Sequence, residues 1–154
     1  MSGKPQQQTV DLNSLSVDNL ASVKKQLDEE LEHLSNSFTK LRQAQSKFRE
    51  CIISVKKGVH ESQAGKTILV PLTTSLYIPG KLADTEKVLV DVGTGYYVEK
   101  STTDAEKFYQ SKVDGLGKSL ADLEKVIAQK SQNLRIVEDV LRQKVVAQQS
   151  APAS

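Results

Sequence analysis

Several things are scarce in this 154-residue chain, and each scarcity excludes something. There is no Trp, and aromatics make up only 5% of the residues, which leaves little with which to fill a broad core. The single cysteine, Cys51, cannot form an internal disulfide, and a four-thiolate zinc site is impossible. It stands beside Ile52 in a helical pattern and reads as a buried, inert thiol. No run approaches the roughly 20 apolar residues that a membrane-spanning helix needs. The Gln-rich stretch 1–10 lacks the apolar region of a secretion signal, so a soluble cytoplasmic protein is expected, with a nuclear pool also compatible. Neither sign of charge prevails: 21 basic residues against 19 acidic ones leave a net +2. Nonspecific nucleic-acid binding relies on clustered positive charge, so neither nucleic acid nor membrane is an expected partner.

Glycine and proline are absent where it matters most. Neither occurs from Gln6 to Lys57, nor between Gly117 and Pro152. Helix interiors exclude both, because Pro removes a donor and clashes while Gly costs backbone entropy. Two long helices are therefore expected to flank a punctuated middle.

Within the first arm, Leu20, Leu27, Leu34, Leu41, Phe48 and Val55 recur at a strict seven-residue step. Lys24, Leu31, Phe38, Gln45 and Ile52 interleave with them at alternating spacings of three and four, the signature of coiled-coil a and d positions. The second arm repeats the pattern with Val113, Leu120, Ile127, Leu134 and Leu141, and with Tyr109, Leu116, Leu123, Lys130 and Val137. Thr103-Asp104-Ala105-Glu106 fits a capping box with Thr103 as the N-cap. Each arm would span roughly 65 Å at 1.5 Å per residue, and matched lengths joined by a compact middle fit an antiparallel intramolecular coiled coil. Its free ends would lie together. Lys24, Gln45 and Lys130 interrupt the seam, weaken it locally and can fix its register. Gly115 and Gly117 have two readings: a close approach of the first arm, or a local weak point.

The middle changes period. Thr67–Leu72, Ser75–Ile78, Lys87–Val92 and Gly95–Lys100 are short runs rich in β-branched and aromatic residues, separated by turn residues. Thr73-Thr74 is expected to link the first two and Gly93-Thr94-Gly95 the last two, giving two β-hairpins, with Pro79-Gly80 closing the second run. The segments expected are thus a flexible tail at 1–13, helices at 14–57 and 103–147, the hairpins at 58–102 and a second tail at 148–154. A lone hairpin is marginal in water, and five of the seven aromatics lie between Tyr77 and Tyr109. The middle is therefore expected to pair with hairpins of other chains. The interface expected is Ile68, Leu69, Val70, Leu76, Tyr77, Ile78, Val88, Leu89, Val90, Val92, Tyr96, Tyr97 and Val98.

No catalytic, cofactor or metal constellation emerges. Gly93-Thr94-Gly95 is followed at once by a strand, so it reads as a hairpin turn and not a phosphate cradle. His33 and His60 stand 27 residues apart without a partner motif, and Asp28-Glu29-Glu30 is an acidic run on a helix. An enzyme is not expected.

The segment Val70-Pro-Leu-Thr-Thr-Ser-Leu-Tyr-Ile-Pro-Gly-Lys-Leu82, with Val88-Leu-Val-Asp-Val-Gly-Thr-Gly-Tyr-Tyr-Val-Glu-Lys100, resembles the hairpin region of α-class prefoldin subunits. The heptad arms extend the likeness over nearly the whole chain. The resemblance implies a mainly α fold, with two hairpins between the helices of a long antiparallel coiled coil. It implies a heterohexamer with one further α-class and four β-class subunits, their hairpins forming a double β-barrel platform. It further implies an ATP-independent co-chaperone, without a cofactor, that passes unfolded actin and tubulin to the cytosolic group II chaperonin. Client-binding tips would fall at Leu12, Leu15, Val17, Leu20 and Val23 of one arm and Val137, Val140, Leu141, Val145 and Val146 of the other. Those residues either finish the coil or, if the ends splay, expose apolar grooves that hold non-native chains. The competing reading is a coiled-coil scaffold or transcriptional cofactor that binds folded partners.

Overall fold

A computed structural model describes residues 12–59 and 63–149. Most of both expected tails, and His60, lie outside the described residues. A short 3-10 turn, Leu12–Ser14, precedes helix α1 (Val17–Gly58). Strands β1 (Thr67–Pro71), β2 (Tyr77–Lys81), β3 (Lys87–Gly93) and β4 (Tyr96–Ser101) follow, and helix α2 (Thr102–Gln149) completes the order. Two long helices thus enclose two antiparallel hairpins, β1–β2 and β3–β4, which form separate two-stranded sheets.

Both helices begin at side-chain caps. Ser16 Oγ accepts from the Asn19 N–H at 3.3 Å, and Ser101 Oγ accepts from the Asp104 N–H at 3.1 Å. The second cap is not Thr103. The chain offers two frames here, Ser101-x-x-Asp104 and Thr103-x-x-Glu106, and the earlier one is used because β4 runs straight into the helix. The Thr102 N–H donates to Glu86 O at 3.0 Å, which ties the start of α2 to the start of the hairpin. At its other end α2 continues through Gln148 and Gln149, beyond the expected helix end at 147.

The first hairpin runs further than its prolines suggest. The expected second strand stops before Pro79, yet β2 runs through Pro79 and Gly80 to Lys81. Leu72 N–H donates to Leu76 O at 2.8 Å, which makes that pair a hydrogen-bonded one. Pairs alternate along an antiparallel ladder, so Pro71 opposite Tyr77 and Pro79 opposite Leu69 occupy non-hydrogen-bonded positions. Each proline nitrogen then faces a free edge and no ladder donor is lost. The turn is closed by Thr73 Oγ1, which accepts from the Leu76 N–H at 3.1 Å.

In the second hairpin, Thr94 and Gly95 have φ of 53° and 82°, the positive values that a two-residue type I′ turn demands. Val92 is the extra residue of a bulge between Asp91 and Gly93, and Asp91 Oδ1 accepts from the Gly93 N–H at 2.8 Å. Asp84 Oδ1 starts β3 by accepting from the Glu86 N–H at 2.7 Å.

The chain divides into two compact units: Thr39–Ala121, which holds the hairpins, and a terminal unit made of the residues up to Phe38 and from Asp122. In both, the expected heptad positions are buried or half-buried. In the hairpin unit the pairing is antiparallel: Gln45 meets Val113, Phe48 meets Tyr109 and Lys56 meets Glu106. The terminal unit repeats this, with contacts of Leu15 to Lys144, Lys24 to Glu138 and Glu30 to Lys130.

Candidate assembly surface and coil ends

In the hairpin unit, burial thins out at the hairpins. Among the described residues fifteen large apolar side chains are exposed, and eleven of them lie between Ile68 and Val98. Of the expected interface, Ile68, Leu69, Leu76, Tyr77, Ile78, Leu89, Val92, Tyr96, Tyr97 and Val98 are exposed. Val70 and Val88 are half-buried. Val90 is 0% exposed and belongs to the chain's own core. The alternation is that of a half-seated strand: Val88 and Val90 turn inward while Leu89, 70% exposed, turns outward. Leu72 is also exposed and was not among the expected residues; it lies one position past β1, in the turn that Thr73 closes.

The outward face of β3–β4 is polar at one end. Lys87 Nζ donates to Glu99 Oε1 at 2.8 Å, and that bond raises the lysine's pKa. Toward the turn the same face carries the exposed Leu89 and Tyr97.

Beneath the hairpins, the seam is held by a polar contact. Gln45 is buried and its Nε2 donates to Val113 O at 3.0 Å. A helical carbonyl is normally screened by the side chain four residues on, which here is Gly117. A Cβ at 117 would lie 3.2 Å from Gln45 Nε2, so this glycine opens the carbonyl to the amide. Close approach is thus the role of Gly117, whereas a Cβ at Gly115 would meet nothing within 4 Å. Nearby, Tyr109 packs at 6.0 Å from the Phe48 ring centroid and 5.5 Å from that of Phe108. Burial, with Cys51 beside it, raises the tyrosine's pKa. Cys51 itself is half-buried.

At the coil ends the expected client residues divide. Leu20 and Val137 are core, at 0% and 3% exposure. Leu12, Leu15, Val17, Val23, Val140, Leu141 and Val145 are half-buried, and Val146 is exposed. These ends are not splayed. Lys144 Nζ donates to Asn13 O at 2.7 Å and to Leu15 O, clamping the start of the chain's described part to α2. Leu141, Val145 and Val146 line a shallow groove bounded by Lys24, Glu138 and Arg142. The two interrupting lysines are paired across the seam: Lys24 with Glu138 at 3.2 Å, and Lys130 with Glu30. The Glu138 and Asp28 carboxylates raise the pKa of Lys24, and the Lys130 ammonium, helped by Gln26, lowers that of Glu30. Lys144 stands seven residues past Val137 and so continues the second arm's heptad series, but the period does not say that its ammonium reaches backbone carbonyls of the other arm.

Among the described residues no group of three His, Cys, Asp or Glu side chains gathers, and no helix is long and apolar enough to cross a membrane. Comparison with known proteins identifies what this architecture is. Residues 27–147 match the model of the family described as Prefoldin subunit. A probable prefoldin subunit 5 of Schizosaccharomyces pombe is 49% identical over 146 residues, spanning 94% of this chain and 95% of that protein. The prefoldin subunit 5 of Homo sapiens is 40% identical over 141 residues, spanning 90% and 89%. Among solved structures, a chain of the cryo-EM structure of filamentous PFD from Methanocaldococcus jannaschii covers 84% of this chain and 98% of its own length, at 22% identity and a TM-score of 0.46. With two helices, two intervening hairpins and an apolar surface its own fold leaves open, the chain belongs to the prefoldin family, the subunits of a multi-subunit co-chaperone.

Proposed function

We propose that this chain is an α-class subunit of a cytosolic heterohexamer, joined through its hairpins to one further α-class and four β-class subunits. The complex acts as an ATP-independent holdase. Its coil ends hold unfolded actin and tubulin and pass them to the group II chaperonin. The observation that carries the assembly half is the concentration of exposed apolar side chains on Ile68–Val98. Monomeric proteins rarely leave contiguous patches of this kind open, and a two-stranded sheet needs further strands or a packed face for stability.

Client holding is supported by the apolar residues at the coil ends. Opening the Lys144 clamp would bare Leu12, Leu15 and Val17 on one arm against Val145 and Val146 on the other. Each contact is weak, and several arms would combine through effective concentration. The test is to remove both arm ends, up to Val23 and from Val137, and to reconstitute the complex. Native mass spectrometry should still give a hexamer, while suppression of denatured-actin aggregation falls. Wild-type suppression by the trimmed hexamer would end the coil-end reading and leave the hairpin reading intact.

A further inference from the structure

The hairpin unit contains a groove of ≈ 530 Å³ between the helices and the second hairpin. Its floor is apolar, with Ala44 and Phe48 from α1 and Tyr109 and Leu116 from α2, and its wall is Asp91–Gly93 of β3. The opening is large enough for a Leu- or Phe-sized side chain, and covering that floor removes apolar surface from water.

Charge gives the occupant a second property. Phe108, on the groove's edge, lies 5.7 Å from Lys100 Nζ and 5.4 Å from Lys112 Nζ. Among the described residues neither lysine has an ion-pair partner. Asp91, which accepts from the Gly93 N–H, keeps its charge on the β3 wall, so the groove carries two ammonium groups at the Phe108 edge against one carboxylate. The edge at Phe108 therefore offers two ammonium groups that a carboxylate would complement.

Position gives the third. Val92 and Gly93 belong both to the groove wall and to the hairpin, and Val92 and Tyr96 beside them are exposed. A partner that covers Val92 and Tyr96 therefore borders the groove. We propose that the groove seats an apolar side chain flanked by Asp or Glu, presented by a neighbouring subunit of the same complex. The inference rests on the reading that the hairpins mediate assembly, and it adds a specific socket to that surface.

The experiment uses the complete reconstituted complex. A diazirine lysine analogue in place of Lys112 probes the groove, and benzoylphenylalanine in place of Tyr97 probes the hairpin surface. The expected result is a cross-link from 112 to another subunit, at a peptide with an acidic residue within two positions of a large apolar one. Links from 112 only to a second copy of this chain or only to client, or no link while 97 reacts, overturn the groove and leave hairpin assembly standing. Silence at both positions in an intact complex overturns both. Filling the groove with Ala44→Trp should weaken incorporation at least about tenfold, as loss of a central anchor does. The exposed variant Lys112→Glu should weaken it about threefold at low salt and less at high salt. Unchanged incorporation of both variants, with the free chain's thermal midpoint preserved, also overturns the proposal.

Discussion

The two units of the chain use apolar residues for different ends. The terminal unit turns them toward each other: Leu20 and Val137 are core, and the seam lysines Lys24 and Lys130 are each matched by a carboxylate of the opposite helix. The hairpin unit buries Val55, Val90, Ala105, Val113 and Leu120, then leaves eleven large apolar side chains of its hairpins in water, turns included. The contrast separates burial that folds the chain from burial that is left for association. A residue's place in one class or the other should decide whether its loss is felt in the free chain or only in the complex.

Adjacent residues of one strand provide the largest test. Val90→Asp places a charge without a partner in the core and should cost about 3–5 kcal/mol, measured as lost hydrogen-exchange protection over 87–101 in the free chain. Leu89→Asp, one residue away and outward-facing, should change the free chain's stability by less than about 0.5 kcal/mol. It should instead abolish incorporation into the complex, read by native mass spectrometry. Equal destabilisation of the free chain by both variants would erase the distinction between the two kinds of burial.

Much of this division is legible in the sequence, and its failures have local causes. The heptads predict both helices because a 3.5-residue period sustained over five repeats has few other physical meanings. The hairpins follow from β-branched runs between turn residues. Which face of β3 is seated is harder to read, since Val88, Leu89, Val90 and Val92 are all apolar and period two does not separate them. Asp91 does not settle it, because at the bulge it lines the groove beside Tyr109 although strict alternation would place it on the face of Leu89. The helix cap is displaced because Ser101 is both the last residue of β4 and the N-cap, a double role that two overlapping motifs conceal. Pro79 looks like a strand terminator until the register places its nitrogen on a free edge. The pairing of Gly117 with Gln45 joins positions 72 residues apart in sequence, and no local pattern links them.

That pair sharpens the comparison within the seam. Gly117→Ala should gain about 1 kcal/mol of helix propensity but crowd the Gln45 amide and cost a hydrogen bond worth about 1 kcal/mol. In the intact chain the change should be near neutral. In a Gln45→Ala background the gain should appear, so a double-mutant cycle followed by thermal denaturation should give coupling of about 1 kcal/mol. Zero coupling would mean that Gly117 serves something other than access to the Val113 carbonyl.

The smallest effect belongs to the terminal unit and depends on pH. Pairing with Lys130 lowers the pKa of Glu30 below its ordinary 4.5, so the unfolded chain takes up a proton before the folded one does. The stability linked to this pair is complete above that ordinary value and is lost as pH falls through the folded pKa. Lys24 has the opposite sign: its pKa is raised above 10.5, so its contribution holds below that value and disappears as pH rises through the folded one. Both pairs are solvent-exposed enough for salt to screen them. Amide exchange in the terminal unit should therefore be flat from neutral pH to about 5, after correction for the intrinsic rate, and quicken only in acid. Glu30→Gln should remove the part of that acid step that comes from this carboxylate and leave the hairpin amides unchanged. If the hairpins loosened in the same step, the pH response would belong to the chain as a whole, and the terminal unit would not be the separately held element that its paired seam describes.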